Sequence, residues 1–327
     1  MRSTLLVIVC CFFVLSGVVA DASDQRMCRA CGDVIDGQYF ETGGASYHPR
    51  HFTCHYCGQP IKEAFSSYRD KDYHTWCFEQ YVALRCSVCS QIIQGKHVTD
   101  FWGNASHIEH QKNVPSCTFC GRFIVHDLTR GSENFRDGRN LCNICAPSSV
   151  TSLGEAKALL RDAARMLDNF GIRVVDVSID LYLADSDQLK DISGGREHAT
   201  GFTDFWVKKN IFRKVLSREI RVYVLRGMPR TEMTATLAHE LTHVWQFLNG
   251  PLDQDSAVSE GSCNFASYLV LRKMGGTEAE FMIDAMLNDP DPIYGSGFRR
   301  VKLYAEREGT QAWLEQLQKK NPKLTGL

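Results

Sequence analysis

The chain has 327 residues, of which 44% are hydrophobic and 23% charged, and its formal net charge is -1. These values are ordinary for a globular protein of two or three modest domains, and they give no electrostatic support for binding to nucleic acid or to an anionic membrane. The informative feature is the set of 14 cysteines, because their spacing indicates the class of protein.

The first residues have the features of a secretory signal peptide. Arg2 gives a positive start, residues 5–15 are apolar, and small residues lead to Ala20. We therefore predict a signal peptide over residues 1–20, and a secreted or periplasmic protein with no stable membrane span after cleavage. The alternative is an uncleaved membrane anchor that carries an exported domain.

Close pairs of cysteine and histidine fill residues 26–80 in two halves. In each half, sixteen residues separate two pairs, so that each half supplies the four ligands of a tetrahedral zinc site. These ligands are Cys28, Cys31, His48 and His51 in the first half, and Cys54, Cys57, His74 and Cys77 in the second. The order of ligands and the segment "YHPRHFTCHYCGQPI" resemble a LIM domain, although many members have cysteine where this chain has His51 and His74.

A second block of paired ligands fills residues 84–147 and resembles a divergent LIM module. Its ligands are Cys86, Cys89, His107, His110, Cys117, Cys120, Cys142 and Cys145. Six residues separate its two halves, whereas two separate the halves of the first block. The sequence therefore leaves open how the two zinc sites of this block are placed relative to each other.

A disulfide framework is the alternative for both blocks, since export favours disulfides. The odd number of eleven cysteines, the histidines at ligand positions and the tight spacing of each cysteine pair favour zinc instead. Four protein ligands close a metal site, so we predict about four structural Zn²⁺ ions, without which these blocks do not fold. Modules of this kind bind protein partners, and the absence of a strong basic excess argues against nucleic acid.

The segment "APSSVTSLGEAK" (146–157) contains no metal-ligand type and marks a domain boundary, so a second domain is predicted over 152–327. The hydrophobic pattern there predicts helices and strands in a mixed order, which is typical of an α+β domain. The predicted helices cover 153–170, 231–248 and 259–274, and the predicted strands cover 172–183 and 219–225.

The predicted helix over 231–248 contains the sequence His239-Glu240-Leu241-Thr242-His243. Two histidines four apart on a helix can hold one zinc ion, and the glutamate beside the first reaches the water that reacts. A catalytic zinc needs a third protein ligand, and we predict Glu260, which lies seventeen residues after His243. Asp253 and Asp255 are the alternative third ligands.

Four further residues lie near these candidates in the sequence. Asn264 follows Glu260 by one helical turn and is a candidate to orient a ligating histidine. The segment "DPIYGSGFRR" offers Tyr294 and Arg299 as groups that stabilise an oxyanion, and we name Tyr294 as the catalytic candidate. Cys263 lies in an apolar helical stretch, which favours a buried small side chain over a nucleophile.

LIM-type pairs followed by "LAHELTHVW", "VSEGSC" and "YGSGFR" resemble the ubiquitin-activated LIM-domain peptidases that limit organ growth in plants, and their bacterial relatives. The resemblance covers the chain from about residue 27 to its end. It implies a gluzincin-type domain, a minimal zincin, that cuts protein substrates with one catalytic zinc and with Glu240 as general base. The LIM modules would recruit or regulate.

The plant members carry ubiquitin-interacting helices ahead of the LIM region, where this sequence has the predicted signal peptide. Activation by ubiquitin is therefore not carried over, and the bacterial branch fits better. The alternative function is a LIM-based protein-binding adaptor with an inactive peptidase-like domain. The presence of both Glu240 and Glu260 favours the enzyme.

Overall fold

The computed structural model describes residues 26–174, 177–209, 215–251, 253–322 and 324, so the predicted signal peptide lies outside it. Among these residues, no helix combines the length and the apolar character needed to cross a membrane. The chain forms two compact units, of which one ends at Pro115 and the other comprises Ser116–Leu327.

The smaller unit consists of short antiparallel hairpins that pair β1 with β2, β3 with β4 and β5 with β6. Its elements are β1 (Phe40–Thr42), β2 (Ala45–Tyr47), β3 (Phe65–Tyr68), β4 (Lys71–His74), α1 (Thr75–Cys77), a π-helical turn (Phe78–Val82), β5 (His97–Thr99), β6 (Ala105–His107) and α2 (His110–Asn113). Its main apolar core is a small group around Phe52, Phe65 and Phe78. So small a core needs covalent or metal cross-links to be stable.

The larger unit begins with the hairpin of β7 and β8 and continues as a mixed domain of helices and one sheet. Its elements are α3 (His126–Thr129), β7 (Ser132–Asn134), β8 (Asn140–Cys142), a 3₁₀ turn (Ala146–Ser148), α4 (Leu153–Asp168), β9 (Asp180–Ala184), α5 (Ser186–Ile192), β10 (Gly201–Lys209), β11 (Val215–Leu225), α6 (Arg230–Asn249), α7 (Ser256–Met274), α8 (Thr277–Asn288), α9 (Gly295–Glu308) and α10 (Thr310–Leu317).

The sheet of this unit has the strand order β10-β11-β9. Strand β10 pairs antiparallel with β11, whereas β9 pairs parallel with it. Within the part of the chain that is described, β10 therefore forms one edge of the sheet. Helix α6 packs against the sheet and is buried around much of its circumference, with Met233, Leu237, Leu241 and Val244 fully enclosed.

Helices α7 and α9 approach each other closely because glycines lie at their contact. A Cβ atom at Gly261 would overlap the backbone of Gly297, and a Cβ atom at Gly297 would overlap the backbone of Ala257. A larger residue at either glycine would push the two helices apart. Because Gly261 follows Glu260 directly, this contact also fixes the position of Glu260 on α7.

The predicted elements correspond to structured segments, with two differences. The predicted strand over 172–183 begins only at Asp180, where pairing with Arg221 of β11 starts. Ile172 and Val174 are buried without belonging to a strand, so their apolar character reflects burial. Strand β10 and helices α5, α8, α9 and α10 have no counterpart among the predictions, and residues 175–176 lie outside the described part.

The division between the units differs from the predicted domain boundaries. The predicted second module over 84–147 is divided at Pro115, and its second half lies in the same unit as the predicted domain over 152–327. The reason is packing and hydrogen bonding: Arg139 donates to the carbonyl oxygen of Arg226 at 2.9 Å, and the Ser186 amide donates to Asp137 at 3.2 Å.

Candidate active site

The paired ligands meet in four clusters, each with its ligand atoms within 4.8 Å of one another. The clusters are Cys28, Cys31, His48 and His51; Cys54, Cys57, His74 and Cys77; Cys86, Cys89, His107 and His110; and Cys117, Cys120, Cys142 and Cys145. The described cysteines form no disulfide. The structure thus brings together each set of four that the spacing predicts.

The distances within the clusters suit zinc. The Sγ atom of Cys31 lies 3.5 Å from Nδ1 of His48, and the Sγ atoms of Cys120 and Cys142 lie 3.7 Å apart. A tetrahedral zinc site with ordinary bond lengths places sulfur about 3.5 Å from nitrogen and about 3.8 Å from another sulfur. Four ligands from the protein fill such a site, so these clusters suit a structural ion.

The histidines of α6 meet the carboxylate of α7 at a single point. Oε2 of Glu260 lies 3.2 Å from Nε2 of His239 and 3.2 Å from Nε2 of His243. All three side chains are largely but not completely buried. Neighbouring nitrogen and oxygen ligands of a tetrahedral zinc ion lie roughly 3.3 Å apart, so this trio has the spacing of a three-ligand zinc site.

Two amide side chains fix the orientation of both imidazole rings. Nδ1 of His239 donates to Oδ1 of Asn264 at 3.0 Å, and Nδ1 of His243 donates to Oε1 of Gln246 at 3.1 Å. Each amide is itself held, because Asn264 donates to the carbonyl oxygen of Tyr294 and Gln246 donates to that of Ser259. The protons of the neutral rings therefore lie on Nδ1, and both Nε2 atoms are left as acceptors.

This arrangement places three acceptors around one point, which is the chemistry of a cation site. Burial by itself favours the protonated form of Glu260, but when the rings of His239 and His243 are protonated they donate to it from Nε2 and hold the pKa of this carboxyl well below its usual range. The donor set of two imidazoles and one carboxylate fits zinc and leaves a coordination position without a protein ligand.

The alternative third ligands have other roles in the structure. Asp253 is exposed and pairs with Lys320 at 2.8 Å. Asp255 caps the first turn of α7, where its side chain accepts from the amides of Ala257 and Val258 at 3.0 and 3.2 Å. Neither aspartate lies in the cleft beside the histidines.

Glu240 lies in the same cleft and is held by strand β10. Thr203 donates to Oε2 of Glu240 at 2.5 Å. Gly201 packs against the same carboxylate so closely that a Cβ atom would overlap Oε1. Glu240 is nearly enclosed, with 4% of its surface exposed, so its position is defined by these two contacts.

The cleft has a volume of ≈ 690 Å³ and is lined by β10, α6, α7, α8 and the residues before α9. Tyr294 lines it, and burial together with the charge of Glu260 raises the pKa of this phenol, which keeps it a hydrogen-bond donor. Arg299 does not line the cleft; its guanidinium group donates to the carbonyl oxygens of Leu287 and Asp289 and holds the end of α8.

Cys263 lies against His243 on the side opposite Glu260. Its Sγ atom is 3.3 Å from Nδ1 of the histidine, so Cys263 and the two histidines form a second close group. That side of the ring is already bonded to Gln246. Burial raises the pKa of the Cys263 thiol to about 11, which leaves a neutral thiol rather than a nucleophile.

The sequence analysis missed Gln246, Thr203 and Gly201. Gln246 lies three residues after His243 and thus on the next turn of the same helix face, a spacing that could have indicated its role. Thr203 and Gly201 lie 37 and 39 residues before Glu240, and no local pattern links them to it. Their contribution follows from the pairing of β10 at the edge of the sheet.

The structure thus combines LIM-type clusters of metal ligands with a mixed α/β domain, and two family models match the chain. The LIM domain model matches residues 28–85, and the model described as Protein DA1 matches residues 163–280. The second range contains His239, Glu240, His243 and Glu260. The chain thus combines a LIM domain, as predicted, with a DA1-like domain.

The similar proteins include plant DA1 proteins. The chain is 26% identical to Protein DA1-related 2 of Arabidopsis thaliana, over 90% of this chain and 69% of that protein. It is 24% identical to Protein DA1 of Arabidopsis thaliana, over 90% of this chain and 67% of that protein. It is 25% identical to LIM domain-containing protein HDR3 of Oryza sativa subsp. japonica, over 91% of this chain and 74% of that protein. Their similarity therefore extends beyond the LIM domain.

Proposed function

We propose that the protein is an exported, zinc-dependent endopeptidase that cuts protein substrates in the cleft of its larger unit. The observation that carries the proposal is the meeting of His239, His243 and Glu260 at one point, with Glu240 in the same cleft. Export rests on the sequence of residues 1–20 alone. The LIM modules would bind protein partners and recruit or regulate substrate.

The zinc ion, when bound, would supply Lewis acidity that activates a water molecule and polarises a peptide carbonyl group. His239, His243 and Glu260 would hold it, with Asn264 and Gln246 keeping both rings in the ligating orientation. This leaves the proton transfers to the remaining side chains of the cleft.

Glu240 is the general base in this proposal. Its carboxylate accepts a proton from the attacking water and then donates it to the nitrogen of the leaving amine. Thr203 holds one carboxylate oxygen, so the group does not rotate between the two transfers. Tyr294, with its phenol proton retained, donates a hydrogen bond to the carbonyl oxygen as negative charge develops there.

The test is the cleavage of casein by the zinc-loaded full chain and by its Glu240→Gln variant, with zinc content measured in both. We expect fragments from the wild type and a loss of at least about a hundredfold in the variant at equal zinc content. Glu280→Gln is the matched control, because Glu280 is an exposed glutamate of α8. Equal cleavage by wild type and Glu240→Gln would contradict the peptidase function, and absence of cleavage by both at full zinc content would support the adaptor function.

A further inference from the structure

Glu232 is a carboxylate in the cleft that the proposed reaction does not use. It lies on the same face of α6 as Ala235, Thr236, His239 and Glu240, and all of these residues line the cleft. Glu232 precedes His239 by seven positions on the helix, which corresponds to about 10 Å along the helix axis. The carboxylate is therefore within reach of a substrate whose reacting bond lies at the histidines.

Glu232 differs from the other carboxylates of the cleft because no described residue forms a hydrogen bond or an ion pair with it. Each of the other carboxylates of the cleft has a partner. Glu197 pairs with Lys190, Glu240 accepts from Thr203, Glu260 contacts the histidines, and Asp289 accepts from the Asp291 amide. A buried carboxyl without a partner holds its proton, because the charged form is costly there, and a cation that binds beside it stabilises the charged form and removes that cost.

The helix does not use this carboxylate as a cap. Glu232 is the third residue of α6, the position from which a glutamate usually accepts from the backbone amide of the N-cap residue. The N-cap residue here is Pro229, which has no amide proton. The charge of Arg139 acts on Glu232, but its guanidinium group pairs with Asp137 at 2.8 Å and donates to a backbone carbonyl.

The wall beside Glu232 is apolar and adaptable. Met282 and Met286 of α8 pack against a buried cluster that contains Ala235, and all three residues line the cleft. Methionine side chains adjust to the shape of a bound group. A long aliphatic stem that ends in a cation, which describes lysine and arginine, is complementary to a methionine wall with a carboxylate beyond it.

We propose that Glu232, Met282 and Met286 form a subsite that selects a lysine or arginine side chain of the substrate. The proposal rests on the proposed peptidase function and adds the class of side chain that is recognised. Because an extended chain covers about 3.3 Å per residue, the basic residue lies within about three positions of the bond that is cut. The basic residue is expected on the same side of the cut bond in every substrate.

The test has a cleavage arm and a binding arm, both with the zinc-loaded full chain. In the first, a mixed peptide library is cut and the sites are read by mass spectrometry. We expect lysine and arginine to be enriched at one position, the enrichment to fall at least about tenfold in Glu232→Gln, and Glu280→Gln to keep it. In Glu232→Lys we expect enrichment of acidic residues at that position.

In the binding arm, immobilised Glu240→Gln chain captures peptides from the same library, with and without Glu232→Gln. We expect the captured peptides to be rich in lysine and arginine only when Glu232 is present. Equal lysine and arginine content in both captures, or an unchanged cleavage pattern in Glu232→Gln, would overturn the subsite. The proposed function is tested separately: it fails if wild type and Glu240→Gln give the same cuts. The binding arm then still decides whether the subsite exists.

Discussion

Thr203 donates a 2.5 Å hydrogen bond to the carboxylate of Glu240, and through it the edge strand of the sheet fixes the candidate general base. The two residues are 37 positions apart in the sequence and belong to β10 and α6. The Thr203 hydroxyl group contacts the carboxylate of Glu240 and none of the three candidate zinc ligands. This separates the positioning of the base from the binding of zinc.

The first prediction follows from this separation. Thr203→Val removes the hydroxyl group and keeps the size of the side chain, so we expect kcat to fall by about tenfold while the zinc content stays unchanged. Thr203→Ser keeps the hydroxyl group and is the matched control, with activity near that of the wild type. Equal loss in both variants would show that packing, rather than the hydrogen bond, is what matters.

A second prediction concerns the glycine beside the same carboxylate. Gly201→Ala places a Cβ atom where Oε1 of Glu240 lies, so either the strand or the carboxylate must move. We expect a loss of activity of about a hundredfold, with zinc content retained. The control is Ala199→Gly, which changes a residue of the same cleft without adding an atom. Gly195→Ala is unsuitable as a control, because the φ of 89° at Gly195 would itself strain an alanine. Full activity in Gly201→Ala would contradict the proposed place of the base.

The third prediction concerns the four-cysteine cluster of the larger unit. Cys142→Ala removes a ligand from the cluster within residues 117–145, a segment that is hydrogen-bonded through Arg139 to the loop before α6. Cys54→Ala removes a ligand from a cluster of the smaller unit. We expect each variant to lose one zinc ion. Only Cys142→Ala is expected to lower the unfolding temperature of the larger unit, by at least about 5 °C, and to reduce cleavage.

Proteolysis followed by mass spectrometry assigns the unfolding transition to each unit. Identical behaviour of the two variants would mean that residues 117–145 are not an integral part of the domain that carries the cleft. A loss of activity in Cys54→Ala alone would assign control of the cleft to the LIM domain.

The fourth prediction is a pH dependence of stability that arises from Glu232. Burial and the charge of Cys117 raise the pKa of this carboxyl to about 8, from 4.5. Below 4.5 the group is protonated in both the folded and the unfolded state and has no effect. Between 4.5 and 8 only the unfolded state releases the proton, so the free energy of unfolding falls as pH rises, and above about 8 the loss is complete.

Glu232→Gln lacks this proton equilibrium. At about 1.36 kcal/mol for each pKa unit, the shift from 4.5 to about 8 predicts that the variant gains up to about 5 kcal/mol over the wild type at high pH and little at about pH 5. Urea unfolding at both pH values measures the difference, in which the contributions of all other groups cancel. A gain that is the same at both pH values would contradict the raised pKa.

The parts of the site that follow a helical period could be predicted from the sequence. The spacing of His239 and His243 places both rings on one face of α6. Glu260 was predicted as the third ligand, with Asp253 and Asp255 as alternatives, because it lies near the start of the next predicted helix. The structure places Glu260, and neither aspartate, beside the rings. The cysteine pairs are equally local, so their grouping into four sets also followed from spacing.

Relationships between distant segments could not be predicted in this way. Strand β10 lacks a clean alternation of apolar and polar residues, because Trp206, Val207 and Lys208 are all exposed on the edge of the sheet. The contacts of Thr203 and Gly201 therefore had no signal in the sequence. The packing of residues 117–145 within the larger unit depends on contacts with a loop almost ninety positions away, such as Arg139 with Arg226.

In the proposed function, His239, His243 and Glu260 form a fifth zinc site on which cleavage depends. The most direct measurement is zinc titration of the metal-stripped full chain, with bound zinc and casein cleavage followed together. We expect about five bound ions per wild-type chain and about four per His243→Ala chain, and the variant is expected to fold but not to cleave. Cleavage by His243→Ala at the wild-type rate, or an undiminished zinc count in that variant, would contradict it.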